Sequence, residues 1–150
     1  EANMLCAQRG WAQFCCIQQR HTYLRPRLGS VFTSGTLGVD EDLQDYVRIR
    51  NVTLVAYSPL IKGAYTRGDR EIREQYRSAD SDARLKVLFQ VAEEVGATPL
   101  QVVLAWMMHS QPPVIPIFSA SKTEQMRENL AALDVKLTEQ QMESLNKAGA

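Results

Sequence analysis

The sequence lacks three features that would each point to a particular class of partner. It has no surplus of basic side chains, because 17 Lys and Arg balance 17 Asp and Glu, so nucleic acid is not expected as the main partner. No apolar run approaches the ~20 residues that a membrane-spanning helix needs, and the first residues show no signal-peptide pattern. We therefore expect a cytoplasmic protein without a membrane partner.

Cysteine is also scarce. The three cysteines, Cys6, Cys15 and Cys16, have no C-x-x-C spacing and no accompanying histidine cluster. Adjacent cysteines on a strand point to opposite faces, which suits packing better than metal binding. We therefore expect neither a disulfide framework nor a metal site, and a reducing compartment fits best.

The sequence does have the composition of a globular core. Of its 150 residues, 45% are hydrophobic and 23% are charged, which suits one domain of ordinary size or a piece of a larger one. It opens with "EANMLCAQRG", without a methionine and inside a segment that is predicted to be a helix ending at Gly10. We interpret this opening as the interior of a longer protein.

Three short apolar runs predict β-strands: "FCCIQ" at 14–18, "VTLVAY" at 52–57 and "VIPI" at 114–117. The second run is almost wholly apolar, which is typical of a strand buried on both faces of a parallel sheet. Helical segments separate the runs, and this alternation predicts parallel βαβ units. A (β/α)8 barrel takes ~250 residues, so the chain could supply just under half of one.

Capping residues mark the predicted helices. The first of them should run from Asp40 to about Arg50 and bury Leu43, Tyr46 and Val47. Residues 24–38 are predicted to be a long loop, and residues 58–80 a long charged connection. The other helices should begin at Ser81 (ending at Val95, before Gly96), at Thr98 (ending near Ser110), at Ser121 (ending near Leu133) and at Thr138.

The turn after the third predicted strand is a candidate anion site. A strand that leads into a helix N-terminus leaves unpaired backbone N–H groups beside the positive end of the helix dipole. Ser119, Ser121 and Thr123 add hydroxyl donors there, and Lys122 adds a positive charge. On local chemistry alone, an N-cap role for Ser121 and a plain surface position for Lys122 explain the pattern equally well.

Three stretches, in this order, resemble motifs of the aldo-keto reductases, an NADPH-dependent (β/α)8-barrel family. "FCCIQQRHTYLRP" is similar to the family's sixth strand, and "VAYSPLIKGAYTR" to its seventh strand and the turn that follows. "VIPIFSASKTEQMRENLAALDVKLTEQQMESL" is similar to the eighth strand and the helix after it, so that the motifs together span residues 11–145. The resemblance implies an α/β fold, a partial (β/α)8 TIM barrel of about the last three strands with their helices. Residues 1–150 would be the NADPH-binding, C-terminal portion of a single barrel domain.

The resemblance assigns the nicotinamide and pyrophosphate contacts to the first two motifs. Gln18 would hydrogen-bond the nicotinamide carboxamide, and Tyr57 would stack on the nicotinamide ring. Ser58, Leu60 and Gly63 would line the pyrophosphate. Residue chemistry alone favours a different interpretation, in which Gln18 is a hydrogen-bonded core amide and Tyr57 is an ordinary aromatic at the barrel rim.

The third motif would hold the adenosine end of NADPH. The resemblance implies that Ser121 and Lys122 hold the 2′-phosphate and that Glu128 and Asn129 contact the adenine. On residue chemistry alone, Glu128 and Asn129 are plain helix-surface residues. Two positions differ from many members of the family. Gln125 stands where many of them carry an arginine, and Ser119 stands where many carry a glycine.

No catalytic residue is predicted. The family's catalytic Asp, Tyr, Lys and His come from its first four strands, which the resemblance places upstream of residue 1. His109 is expected to be structural, and His21 structural or at the rim of the substrate site.

Two functions remain open. The first is NADPH-dependent reduction of aldehydes or ketones to alcohols by the complete protein, with a small carbonyl compound as substrate and with this chain lacking the catalytic tetrad. The second is a non-catalytic, nucleotide-binding regulatory half-barrel. In either case, we expect self-association through the open edges of the sheet.

Overall fold

The computed structural model of the protein describes residues 1–27, 29–30, 38–66 and 69–149. In this part of the chain, three strands form one sheet in the order β1 (Cys16–Arg20), β2 (Thr53–Tyr57) and β3 (Val114–Ile117). Both neighbouring pairs are parallel, and helices lie between successive strands along the chain. The predicted α/β fold with parallel βαβ units is therefore confirmed.

The helix layer is built around one apolar helix. The helices described are α1 (Ala2–Gln8), α2 (Glu41–Arg50), α3 (Ala79–Val95), α4 (Pro99–His109), α5 (Thr123–Leu130) and α6 (Glu139–Lys147). In α4, every residue from Val102 to Met107 is buried, and the helix packs against β3, α3, α5 and α6. A helix that is apolar on nearly every side belongs in a core, so α4 supports both the sheet and α5.

Side-chain caps set several helix starts as predicted. Asp40 accepts a hydrogen bond from the first turn of α2 at 2.9 Å. Thr98 and Gln101 form a capping box at the start of α4, and Thr138 and Gln141 form another at the start of α6. These caps depend only on residues three positions apart, which is why the sequence pattern finds them.

The predicted limits of β1 and the predicted start of α3 are wrong. The first strand is shifted from 14–18 to Cys16–Arg20, because both backbone groups of Phe14 bond the side-chain amide of Asn3. Helix α3 begins after Ser78 rather than at Ser81, whose backbone N–H donates to the Ser78 hydroxyl at 3.2 Å. The end of α3 is as predicted, with Gly96 in the left-handed conformation at φ 65°.

The start of α5 also differs from its predicted capping box. Lys122, not Ser121, occupies the N-cap position, and its side chain makes no capping bond. Instead, Oε1 of Gln125 accepts hydrogen bonds from the Ser121 backbone N–H at 3.2 Å and from its hydroxyl at 3.1 Å. The helix ends at Leu130, short of the predicted Leu133, and continues as a 3₁₀ turn.

The two sides of the sheet differ in how they are covered. On the helix-facing side, Leu54, Ala56 and Val114 are buried in the core. On the other side, Ile115 and Ile117 are 54% and 44% exposed. We call this second side the open face; alternation along the registered strands gives it Cys16, Gln18, Arg20, Thr53, Val55, Tyr57, Ile115 and Ile117. The prediction that 52–57 is buried on both faces is therefore wrong for the described residues.

The predicted inner face of α2 is only partly correct. Val47 is buried and Leu43 is half-buried, but Tyr46 is exposed. Residues 28 and 31–37 of the predicted loop, and residues 67 and 68 of the predicted connection, lie outside the described residues. Within that connection, 3₁₀ turns occur at Ile61–Gly63 and Glu74–Tyr76.

Among the described residues, no single helix has the length and apolarity to cross a membrane. Helices α3 and α4 satisfy those criteria only as a pair, and they meet at a bend of 94°.

Candidate functional site

The candidate site lies where the strands end. Because β1, β2 and β3 are parallel neighbours, their carboxyl ends lie at the same edge of the sheet. The segments that follow β2 and β3 therefore emerge side by side at that edge, next to the last residues of β1. Ligands of parallel α/β sheets and barrels bind at this edge, and the sequence-predicted site residues from all three motifs converge on it.

Gln18 and Tyr57 both belong to the open face. Gln18 is in register with Val55, and Tyr57 is in register with Arg20 on one side and with Ile117 on the other. The Gln18 side chain is exposed, so the interpretation as a core amide is wrong. Tyr57 is half-buried, and its role as a ligand-stacking ring stays a prediction.

Arg20 is a candidate site residue that the sequence reasoning missed. Its guanidinium carbon lies 5.0 Å from the centroid of the Tyr57 ring, in a cation–π contact. The signal was available, since Gln18 and Arg20 are two positions apart on one strand and so point to the same face. The candidate nicotinamide end of the site thus carries a fixed positive charge.

The turn after β2 has an unusual backbone. Ser58, Ile61, Lys62 and Gly63 all have positive φ, at 57°, 47°, 58° and 82°. Such a conformation in a β-branched residue such as Ile61 is strained, and strain of this kind concentrates at ligand sites. Leu60, just before Ile61, has φ −92° and ψ 4°, so the backbone changes hand between these two residues. Part of the turn's hydrogen bonding is internal, since the N–H groups of Ile61 and Gly63 donate to the carbonyls of Ser58 and Leu60.

A third group of site residues surrounds the start of α5. Ser119, Ser121 and Lys122 are exposed at the carboxyl edge, and Gln125 is half-buried. The two hydrogen bonds that Ser121 donates to Gln125 occupy the donors that an anion would use. Gln125 therefore acts as an internal acceptor at this helix N-terminus.

Glu128 and Asn129 lie further along α5. Asn129 is only 7% exposed, so it is not a plain surface residue, and Glu128 is half-buried. The Glu128 carbonyl accepts a hydrogen bond of 2.9 Å from the side-chain amide of Gln101 in α4. This bond connects α5 to the core helix, while contact of either residue with adenine stays a prediction.

Both histidines lie away from the open face. His21 stacks on Trp106, with ring centroids 5.5 Å apart, and burial lowers the His21 pKa from 6.5 to about 4. Nδ1 of His109 lies 2.8 Å from the Ala105 carbonyl in its own helix. His109 is therefore structural, as predicted, and His21 is held in the helix layer rather than at a substrate rim.

These histidines line a cleft of about 840 Å³. Leu54 and Val114, which belong to the helix-facing side, also line it, and so does Arg20 at the carboxyl end of β1. Neither Gln18 nor Tyr57 lines this cleft. In the described part of the chain, no cluster of His, Cys, Asp and Glu has the arrangement to hold a metal ion.

Tyrosines other than Tyr57 are not placed to serve as proton donors at the open face. Burial raises the pKa of Tyr23 to about 12 and also raises the pKa of Tyr65. Tyr76 is buried, and Tyr46 is on α2. The described open face also has no carboxylic acid or imidazole.

The chain matches the family model described as "Aldo/keto reductase family" over residues 6–150. It is similar to two curated proteins, both called uncharacterized oxidoreductases: Mb2320 of Mycobacterium bovis and Rv2298 of Mycobacterium tuberculosis. Each is 32% identical over 120 residues, which cover 72% of this chain and 37% of the relative. The chain therefore spans well under half the length of these relatives.

Two solved structures are similar in fold. One is a mutant of Gox0644 in complex with NADPH, with a TM-score of 0.61 and 16% identity over 97% of this chain and 42% of that one. The other is the thermostable aldo-keto reductase Tm1743 in complex with the inhibitor epalrestat, with a TM-score of 0.55 and 25% identity over 95% and 51% of the two chains. Nearly the whole chain thus aligns with about half of each structure, which confirms the prediction of a partial (β/α)8 barrel.

Proposed function

The chain belongs to the aldo/keto reductase family, and on that premise we propose that it forms the NADPH-binding portion of an oxidoreductase that reduces aldehydes and ketones to alcohols. Residues 1–150 are then the C-terminal portion of one barrel domain. The observation that carries the proposal is the convergence of all three groups of predicted cofactor contacts at one edge of the sheet. The NADPH bound to Gox0644 agrees with the choice of nucleotide.

The nicotinamide would lie on the open face. There, Tyr57 offers a flat ring at the end of the central strand for stacking. The exposed Gln18 side chain, one strand away, offers both a donor and an acceptor to the carboxamide. When bound, NADPH supplies the hydride; these side chains hold its ring at the mouth of the barrel.

The phosphates fit the two turns beside the nicotinamide end. Ser58, Leu60 and Gly63 belong to the strained turn after β2, which lies beside the nicotinamide contacts at the carboxyl edge, and we assign the pyrophosphate to this turn. Ser121 and Lys122 then receive the 2′-phosphate at the N-terminus of α5, whose dipole favours negative charge. A phosphate that displaces Gln125 gains both donors of Ser121, and the remaining contacts of this end are Ser119, Glu128 and Asn129.

Protonation of the developing alkoxide needs an acid. The described open face carries no carboxyl or imidazole group, and burial raises the pKa of both Tyr23 and Tyr65, which makes them weaker proton donors. We propose that the acid belongs to the remainder of the barrel. The same observation favours the second candidate, a non-catalytic nucleotide-binding module, and a turnover assay separates the two.

The first test is selectivity between nucleotides. A charge-assisted hydrogen bond is worth about 1.5–3 kcal/mol, so Lys122→Ala should weaken NADPH binding by roughly 10- to 100-fold. The affinity for NADH, which lacks the 2′-phosphate, should change little. Fluorescence titration of the chain with each nucleotide measures both effects. Lys136→Ala is the matched control, because Lys136 is an exposed lysine beyond α5.

Equal losses for NADPH and NADH would remove Lys122 from the 2′-phosphate site. NADPH oxidation with a small aldehyde, after addition of the N-terminal part of a curated relative, tests the reductase proposal itself. Tight NADPH binding without turnover in that mixture would favour the regulatory module. If the chain binds no NADPH, alone or in that mixture, the proposed function is wrong.

A further inference from the structure

We propose that Arg20 biases the site toward the reduced nucleotide by weakening the binding of NADP⁺ relative to NADPH. This inference rests on the proposed function, because it takes Tyr57 as the ring against which the nicotinamide stacks. The two nucleotides differ in one relevant respect: the oxidised nicotinamide ring carries a positive charge, and the reduced ring is neutral. A positive charge fixed beside Tyr57 must therefore weaken the binding of the oxidised nucleotide relative to that of the reduced one.

The position of Arg20 is set by the sheet. Arg20 is the last residue of β1 and pairs in register with Tyr57, the last residue of β2, so both side chains rise from the same face. The strand end is anchored on its other side, where the Val39 backbone N–H donates to the Arg20 carbonyl at 2.9 Å. The guanidinium carbon then lies 5.0 Å from the Tyr57 centroid.

The electrostatic effect has the same sign wherever the nicotinamide stacks. If the nicotinamide stacks on the face of Tyr57 opposite Arg20, the Tyr57 ring lies between them, and the guanidinium and the nicotinamide charge are roughly 9–10 Å apart. If it takes the same face, the guanidinium moves toward the ring edge and stays closer than that. Arg20 also already uses the negative face of Tyr57, for which an oxidised nicotinamide would compete.

The size of the effect follows from Coulomb's law between the limits of water and a protein surface. Two positive charges at that separation should weaken NADP⁺ binding by about 2- to 20-fold relative to NADPH. The phosphates, ribose and adenine are common to both nucleotides. Their contacts with Lys122 and the turn after β2 therefore cancel in the ratio of the two dissociation constants.

This bias suits a reductase. NADPH enters a site that does not oppose it, and the oxidised nucleotide formed by hydride transfer is repelled by Arg20. The repulsion makes release of NADP⁺ easier and does not lower the affinity for NADPH. Arg20 is thus proposed as a residue that determines specificity for the oxidation state of the nucleotide.

The experiment measures dissociation constants of NADP⁺ and NADPH for the same protein by titration calorimetry. In Arg20→Gln, the ratio Kd(NADP⁺)/Kd(NADPH) should fall by about 2- to 20-fold, mainly because NADP⁺ binds more tightly. Arg20→Lys, which keeps the charge, should retain most of the ratio. Arg25→Gln is the matched control: it removes the same charge from the exposed segment after β1, and should leave the ratio unchanged.

Two results would overturn the inference. If Arg20→Gln binds both nucleotides with the unmodified ratio, Arg20 has no such role, although the proposed function stands. If the unmodified chain binds neither nucleotide, alone or together with the N-terminal part of a curated relative, the proposed function fails and the inference fails with it. Circular dichroism checks folding; should Arg20→Gln not fold, Arg20→Met replaces it with the same expected fall in the ratio.

Discussion

At the scale of single residues, Tyr57 decides between a cofactor contact and an ordinary rim aromatic. If its ring stacks on the nicotinamide, Tyr57→Ala should weaken NADPH and NADH by similar factors, about 3- to 10-fold, since both nucleotides carry that ring and such stacking is worth about 0.5–1.5 kcal/mol. Fluorescence titration measures both. Tyr46→Ala, at an exposed tyrosine of α2, is the control. Normal binding by a less stable Tyr57→Ala protein would support the rim interpretation.

His21 makes a second prediction, for pH dependence. Burial against Trp106 lowers its pKa to about 4, whereas the unfolded chain titrates near 6.5. Between these values the unfolded state binds the proton and the folded state does not. The stabilisation is therefore complete above pH 6.5 and is lost as the pH falls toward 4. The loss should reach at most about 2.5 kcal/mol at pH 4.5.

His21→Phe tests this prediction because it keeps a flat ring beside Trp106 but cannot titrate. Urea unfolding between pH 7 and pH 4.5 should show a shallower fall in the free energy of unfolding for His21→Phe than for the unmodified chain. His109→Gln, which removes the other histidine, is measured alongside as the comparison for loss of an imidazole elsewhere in the helix layer. Identical slopes for His21→Phe and the unmodified chain would contradict a buried, neutral His21.

At the scale of elements, the position of α5 depends on α4. Gln101 serves twice: its side-chain oxygen accepts from the Thr98 backbone N–H, and its amide donates to the Glu128 carbonyl in α5. Gln101→Ala should lower the free energy of unfolding by about 1–2 kcal/mol. It should also weaken NADPH binding severalfold, because the 2′-phosphate and adenine contacts are carried by α5.

Gln141 is the matched control for this prediction. It holds the same place in the capping box of α6, but its amide donates to the exposed Glu94 side chain. Gln141→Ala should therefore cost about 0.5–1 kcal/mol and leave NADPH binding unchanged. Equal effects of the two variants on NADPH binding would show that the link from α4 to α5 does not position the site.

At the scale of the whole molecule, the open face is the surface most prone to association with another chain. It presents Ile115 and Ile117, and within the described residues β3 pairs only with β2. Exposed apolar surface and unpaired strand edges favour association with another chain. We therefore expect the isolated chain to self-associate at micromolar concentration, as measured by sedimentation velocity. Ile117→Lys should reduce association.

The control for this prediction is Ile49→Lys. Ile49 is the more exposed isoleucine, at 74%, but it lies on α2, away from the open face. A chain that stays monomeric at high micromolar concentration would contradict the prediction. Equal effects of the two lysine variants would mean that general solubility, rather than the open face, controls association.

Much of this protein was determined by the sequence alone. The capping boxes at Thr98 and Thr138 depend on residues three positions apart, and the strands at 52–57 and 114–117 on short apolar runs. The ordered motifs identified the family, and with it the residues that converge at the carboxyl edge. Each of these features is local or is a pattern along the chain.

Other features were decided only by the tertiary structure. The contact of Arg20 with Tyr57 depends on the register of two strands. The burial of His21 depends on Trp106, which is far away along the chain. One side of the sheet lies under the helices and the other is open. Pairings and burial of this kind are set by distant residues, and local patterns carry no information about them.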